Sequence, residues 1–131
     1  MKLKIAFCLL LISSISISSC SSDDSSNDSS SQFEDKWWYS PDNATLDVHF
    51  DSDGTYSSVY VYAGTTYNSN GDWEWVSESA KTFRVYNLGG NATDEFHGKV
   101  TSLTDHTMEV KTSLDGGETY TAAVPYVDTN D

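Results

Sequence analysis

Phe50-Asp51-Ser52-Asp53-Gly54-Thr55-Tyr56-Ser57-Ser58-Val59-Tyr60-Val61-Tyr62 is the stretch that decides the fold. An apolar residue ends one extended run, four polar residues intervene, and eight residues rich in Tyr, Val and Ser follow. Asp53-Gly54 suits the positive φ of a two-residue hairpin turn, so the stretch predicts two antiparallel strands joined tightly. β-branched and aromatic side chains on the far side fit a pleated, half-buried surface. On the near side Leu46, Val48 and Phe50 alternate with Asp47 and His49, the period-2 pattern of a strand with one buried face.

The same rhythm continues outward. Asn68 to Asp72 (NSNGD) predicts a loop, Trp73 to Val76 a strand and Lys81 to Leu88 another. Gly89-Gly90-Asn91 breaks the chain. Glu95 to Leu103 and His106 to Ser113 follow, separated by Thr104-Asp105. Asp115-Gly116-Gly117 is a second hairpin signal, and Glu118 to Val127 alternates Tyr120, Ala122, Val124 and Tyr126. Seven strands result, or eight with Lys36 to Tyr39. No stretch after residue 31 sustains a helical period. The expected fold is all-β, an antiparallel up-and-down meander closed as a barrel or folded as a sandwich.

The N-terminus reads differently. Lys2 and Lys4 precede the apolar run Ile5 to Ile12, and Ser18, Ser19 and Cys20 follow. A positive start, a short apolar core and small residues before a cut form a secretory signal. The run is shorter than the roughly 20 apolar residues that span a bilayer. Ile17-Ser18-Ser19-Cys20 resembles the lipobox of bacterial lipoproteins. That resemblance implies removal of residues 1–19 and acylation of Cys20, so that the chain is held on a membrane by lipid. Residues 20–32 form the lipidated Cys and a tether. Its core, Ser21 to Ser31 (SSDDSSNDSSS), holds nothing apolar and reaches at most roughly 36–40 Å. Asp23-Asp24 resembles the surface-export signals of Bacteroidota lipoproteins, which implies an outer-membrane, surface-exposed location.

Charge and cysteine content agree with an exported, self-sufficient domain. Of two cysteines, Cys8 lies within the signal, so the domain expects no disulfide. The chain carries seven Lys/Arg and twenty Asp/Glu. Loss of Lys2 and Lys4 leaves five against twenty, a formal charge of −15. Such a surface repels nucleic acid and anionic membranes.

The domain itself resembles a family. Phe33 with Trp37, the Phe50-Asp51-Ser52-Asp53-Gly54-Thr55-Tyr56 hairpin, Gly71-Asp72-Trp73, Val100-Thr101-Ser102-Leu103-Thr104 and Met108-Glu109-Val110 fall in the order seen in small lipocalin-like domains of Bacteroidota lipoproteins. The resemblance covers residues 33–127, leaving 128–131 as a tail, and implies an up-and-down β-barrel of about eight strands. Ser77-Glu78-Ser79-Ala80 departs from the family's apolar run after the Gly-x-Trp strand, which argues against a roomy greasy interior.

Sites of reaction are not apparent. Asp51-Ser52-Asp53-Gly54 lacks the ligand series of a calcium loop. His49, His97 and His106 have no close ligand spacing. No Ser lies in a nucleophile elbow, and Asp94-Glu95 point to opposite faces of a strand. Asn43-Ala44-Thr45 and Asn91-Ala92-Thr93 fit a glycosylation pattern, read here as loop composition. The expectation is a non-enzymatic monomer with no cofactor and no metal. Aromatic residues are the informative set: four Trp and eight Tyr. Tyr60 and Tyr62 compete with Val59 and Val61 for the interior. Trp73, Trp75 and Tyr60 are the candidate residues for holding a small apolar or amphipathic ligand. The alternative is a surface interaction, carbohydrate-binding or structural module with a filled barrel.

Overall fold

The computed structural model describes residues 32–41 and 46–129. The signal segment, Cys20, Asp23-Asp24 and the Asn43 sequon lie outside these residues. Among the described residues, eight strands form one sheet: β1 (Trp37–Trp38), β2 (Asp47–Phe50), β3 (Thr55–Tyr62), β4 (Thr65–Ser77), β5 (Thr82–Tyr86), β6 (Phe96–Leu103), β7 (Thr107–Ser113) and β8 (Val124–Val127). Each pairs antiparallel with its sequence neighbour, in the order β1 to β8. Beyond β1, Tyr39 bridges to Val127 through reciprocal backbone bonds of 2.7 and 3.0 Å, joining the two edges. The sheet is therefore a nearly closed up-and-down barrel, not a sandwich.

The deciding hairpin pairs Phe50 with Tyr56. Its connection is four residues long, Asp51 to Gly54, rather than the two-residue turn expected. The Gly54 amide donates to the Asp51 carbonyl at 3.0 Å, and the Asp51 amide to the Thr55 carbonyl at 2.9 Å. Only Gly54, at φ +90°, needs the left-handed region, and Asp53 instead accepts the Thr55 amide at 2.8 Å. Asp35 accepts the Ser52 amide at 2.7 Å, which ties the chain before β1 to this turn.

Two expectations on strand extent are corrected. Asn68 to Asp72 is not a loop but the middle of the 13-residue β4. The reversal lies earlier, at Ala63 (φ 50°) and Gly64 (φ 79°), the geometry of a two-residue primed turn. Polar composition suggested a loop, yet the ladder opposite Thr55–Val59 satisfies these backbones, with Ser69 facing Ser58 and Asn68 facing Val59. The last strand is shorter than Glu118 to Val127, because Asp115 captures the amides of Glu118 and Thr119 and holds residues 115–119 in a loop. Thr121 still pairs its amide with the Thr112 carbonyl at 2.8 Å.

Inner faces alternate as a barrel requires. Val48, Phe50, Tyr56, Trp73, Phe83, Val85, Val100, Met108, Val110 and Tyr126 form the core. On β3 the face of Tyr56 and Ser58 is buried, but neither competing pair is: Val59 and Tyr60 are half-buried, and Val61 and Tyr62 are both exposed. Gly98 faces Phe83 across β5 and β6. A Cβ there would lie 2.0 Å from the Phe83 ring, so the ring fills the space that any side chain would need.

Candidate ligand site

In a meander, successive turns lie at alternate ends. One end carries the β2–β3, β4–β5 and β6–β7 turns. Phe33, with no exposed surface, plugs it. Its ring lies 4.4 Å from Phe50, 4.9 Å from Trp75, and 5.5 Å from Trp73 and Phe83, centroid to centroid. The indole N–H groups are spoken for: Trp38 donates to the Phe33 carbonyl at 2.9 Å and Trp73 to the Asp51 carbonyl at 2.8 Å. Trp75 donates to Glu34 at 3.3 Å. Gln32 and Lys36 reach across to Asp105 in the β6–β7 turn, each at 2.8 Å. The end is shut by aromatic packing and laced by hydrogen bonds.

The other end is open. A cavity of about 420 Å³ occupies the barrel, with Phe50 and Phe83 as its floor. Val48, Met108, Val110 and Tyr126 contribute to its walls, and Leu46, Tyr60 and Thr112 stand towards the mouth. A second hollow of about 280 Å³ adjoins it, lined by Tyr67, Ser58, Ser69 and Leu88 among others. Leu46, Tyr56, Tyr60 and Phe96 line both, so the two spaces lie side by side and share these walls; together they are termed the groove. The apolar deficit expected from Ser77-Glu78-Ser79-Ala80 did not fill the interior. That segment makes the β4–β5 turn at the shut end, where its polarity does not reach the cavity.

Of the candidate residues, Tyr60 lines both spaces. Trp73 and Trp75 are not among the described lining residues. They pack behind the cavity floor, Trp73 5.4 Å from Phe50 and Trp75 6.2 Å from Phe83. Tyr67, Leu46, Leu88 and Phe96 belong to the groove and were not foreseen. Tyr67 faces Tyr60 across the ladder, a pairing that the Ala63-Gly64 turn would have revealed.

The electrostatics of the groove are plain. None of its described lining residues is Asp, Glu, Lys, Arg or His. The Tyr56 hydroxyl is pushed up to about 12 by burial, offset in part by the Ser58 hydroxyl. The described cations sit elsewhere. Arg84 lies between Glu74 and Glu95 at 3.6 and 3.8 Å, and Lys36 lies over the Trp38 ring and 3.8 Å from Asp128. Lys99 and Lys111 alternate with inward-facing Gly98, Val100 and Val110, and so point outward.

The histidines do not meet. His49 packs on Trp37, His97 lies 3.9 Å from Glu95 and His106 lies 3.0 Å from Asp128. Among the described residues, no group of three or more His, Cys, Asp or Glu is placed to hold a metal ion. No protein family, no curated protein and no solved structure matches this chain.

Proposed function

We propose that this protein is a non-enzymatic binding protein of the cell envelope, anchored through lipid on Cys20, that holds a small apolar or amphipathic ligand in its barrel. The supporting observation is the cavity of about 420 Å³ with an apolar lining, open at one end and floored by a packed aromatic layer. Ligand sites are typically about 300–1,000 Å³, mostly apolar, with few polar groups. Burial of an alkyl chain there gains roughly 0.8 kcal/mol per methylene, enough for useful affinity without any charged contact. The tether of Ser21 to Ser31 lets the mouth stand away from the membrane, and the negative surface keeps it there.

Native mass spectrometry of the protein purified from its own host tests the carrier reading. A reproducible bound small molecule is the expected result; a barrel that is always empty would count against it. The anchor has a separate test: Cys20→Ser is expected to abolish lipid labelling and release the protein from the membrane fraction. Labelling that persists would refute it.

A further inference from the structure

The β3–β4 hairpin outruns its neighbours and leaves a strand edge bare. Pairing of β2 with β3 stops at Val59, and pairing of β5 with β4 stops at Asp72. At Gly71 the neighbouring chain is already present, since a Cβ there would lie 2.6 Å from the Tyr86 carbonyl oxygen. Thr65 to Asn70 therefore has β3 on one side and, among the described residues, no strand on the other. Tyr62 and Thr65 close the two-residue Ala63-Gly64 turn as a hydrogen-bonded pair, and bonded and unbonded pairs alternate from there. Odd-numbered residues of β4 thus direct their backbone groups to the β3 side, as when the Trp73 amide donates to the Gly54 carbonyl at 2.8 Å. Thr66, Asn68 and Asn70 direct theirs to the bare side. Edge strands are ordinarily guarded by Lys, Pro or a bulge. This edge has none of them, and its register with β3 is unbroken. Thr55 to Gly71 holds no Asp, Glu, Lys, Arg or His, in a chain with seven Lys/Arg and twenty Asp/Glu.

We infer that this edge pairs antiparallel with the same edge of a second copy, about a two-fold axis through Tyr67. The pairing is independent of the carrier reading. Opposed residues of an antiparallel pair share a face, so the axis must pass through a residue. With Tyr67 on the axis, the free backbone groups of Thr66 meet those of Asn68 of the partner subunit, and the reverse. The two Tyr67 rings, each 54% exposed in the single chain, then stand side by side as an aromatic cross-strand pair. An axis through Asn68 would instead carry the partner's turn to the level of Asp72, where Tyr86 already stands. Charge selects a second copy over a foreign strand. Two chains of formal charge −13 repel each other, and a protruding uncharged hairpin is where they approach with the least repulsion. A charged peptide would find no counter-charge along this edge. So short a contact makes a weak dimer.

The test uses the full chain carrying Cys8→Ser and Cys20→Ser, which leaves no thiol. Tyr67→Cys or Asn68→Cys is added to it, and each protein is exposed to a mild oxidant. In the proposed register the two Tyr67 Cα atoms lie about 4.5 Å apart, within disulfide reach, whereas the two Asn68 Cα atoms are offset by two residues and lie beyond about 7 Å. Tyr67→Cys is expected to form linked dimer at least about tenfold faster than Asn68→Cys. Sedimentation of the thiol-free chain should show a monomer–dimer equilibrium that tightens as salt screens the acidic surfaces. Asn68→Pro removes an amide that faces the bare side and none that faces β3, so it should weaken association at least about tenfold with little change in the thermal melt. Asn68→Lys keeps every backbone group, should weaken association likewise, and decides the matter if the proline disturbs the fold. A chain that stays monomeric, equal crosslinking at the two positions, or association untouched by a folded Asn68 variant would each overturn the proposal.

Discussion

At one end of the barrel, Phe33 is enclosed by Phe50, Trp73, Trp75 and Phe83; at the other, Tyr60, Tyr62 and Tyr67 lie against solvent and a hollow. Both sets are aromatic, and both lie on inner faces of neighbouring strands. The difference is what covers them. The chain before β1 returns across the shut end, whereas the β3–β4 strands simply outrun the rest of the sheet at the open end. Aromatic content alone therefore does not distinguish core from site. Among the described residues, the presence or absence of a covering segment does.

The contrast can be broken from the shut end first. Phe33→Ala removes the central ring of a closed cluster and is expected to cost about 3–5 kcal/mol in urea unfolding. A loss below about 1 kcal/mol would mean that the plug does not hold the shut end. Gly98→Ala drives a methyl into the Phe83 ring and should cost about 1–3 kcal/mol. Combining it with Phe83→Leu should recover part of that loss, and simple additivity in the double-mutant cycle would show that the two do not touch.

Acid sensitivity sharpens the comparison through the loops. Asp115 is held well below its ordinary value of 3.8 by hydrogen bonds from Ser113, Thr119 and Glu118, and Asp53 and Asp35 are also lowered, by Thr55 and Ser52. A carboxyl depressed in the fold adds stability that is complete above its unfolded value and disappears as pH falls through its folded one. Stability should accordingly drop below about pH 4. Asp115→Asn should lower stability at pH 7 and flatten the decline measured by thermal melts between pH 4 and pH 2. An unchanged slope would exclude Asp115 as a contributor.

The smallest effect is expected at the open end. Tyr62→Ala should stay within about 0.5 kcal/mol of the parent, because an exposed ring at the tip of a hairpin gives up little burial. A larger loss would mean that the Tyr62 ring is a structural element and not a free surface.

Alternation of Leu46, Val48 and Phe50, the Asp51–Gly54 turn and the dense aromatic strands made the meander legible, since a period of two and turn chemistry are local properties. Local composition misled at Asn68 to Asp72, where cross-strand partners outweighed a polar sequence, and at Glu118, whose amide is taken by Asp115. Tyr60 was recognised as a candidate from its position on β3. Tyr67 was hidden by the misplaced turn, and Trp73 and Trp75 fall behind the cavity floor.

The sequence by itself determined an antiparallel all-β domain and a strongly acidic chain, because these follow from neighbours along the chain. Only the tertiary structure decided that the strands close through Tyr39 and Val127, that Phe33 seals one end, and that a groove whose described lining residues are uncharged opens at the other. Those features depend on residues tens of positions apart, such as Gln32 and Asp105, meeting in space, and no local pattern encodes which faces remain uncovered.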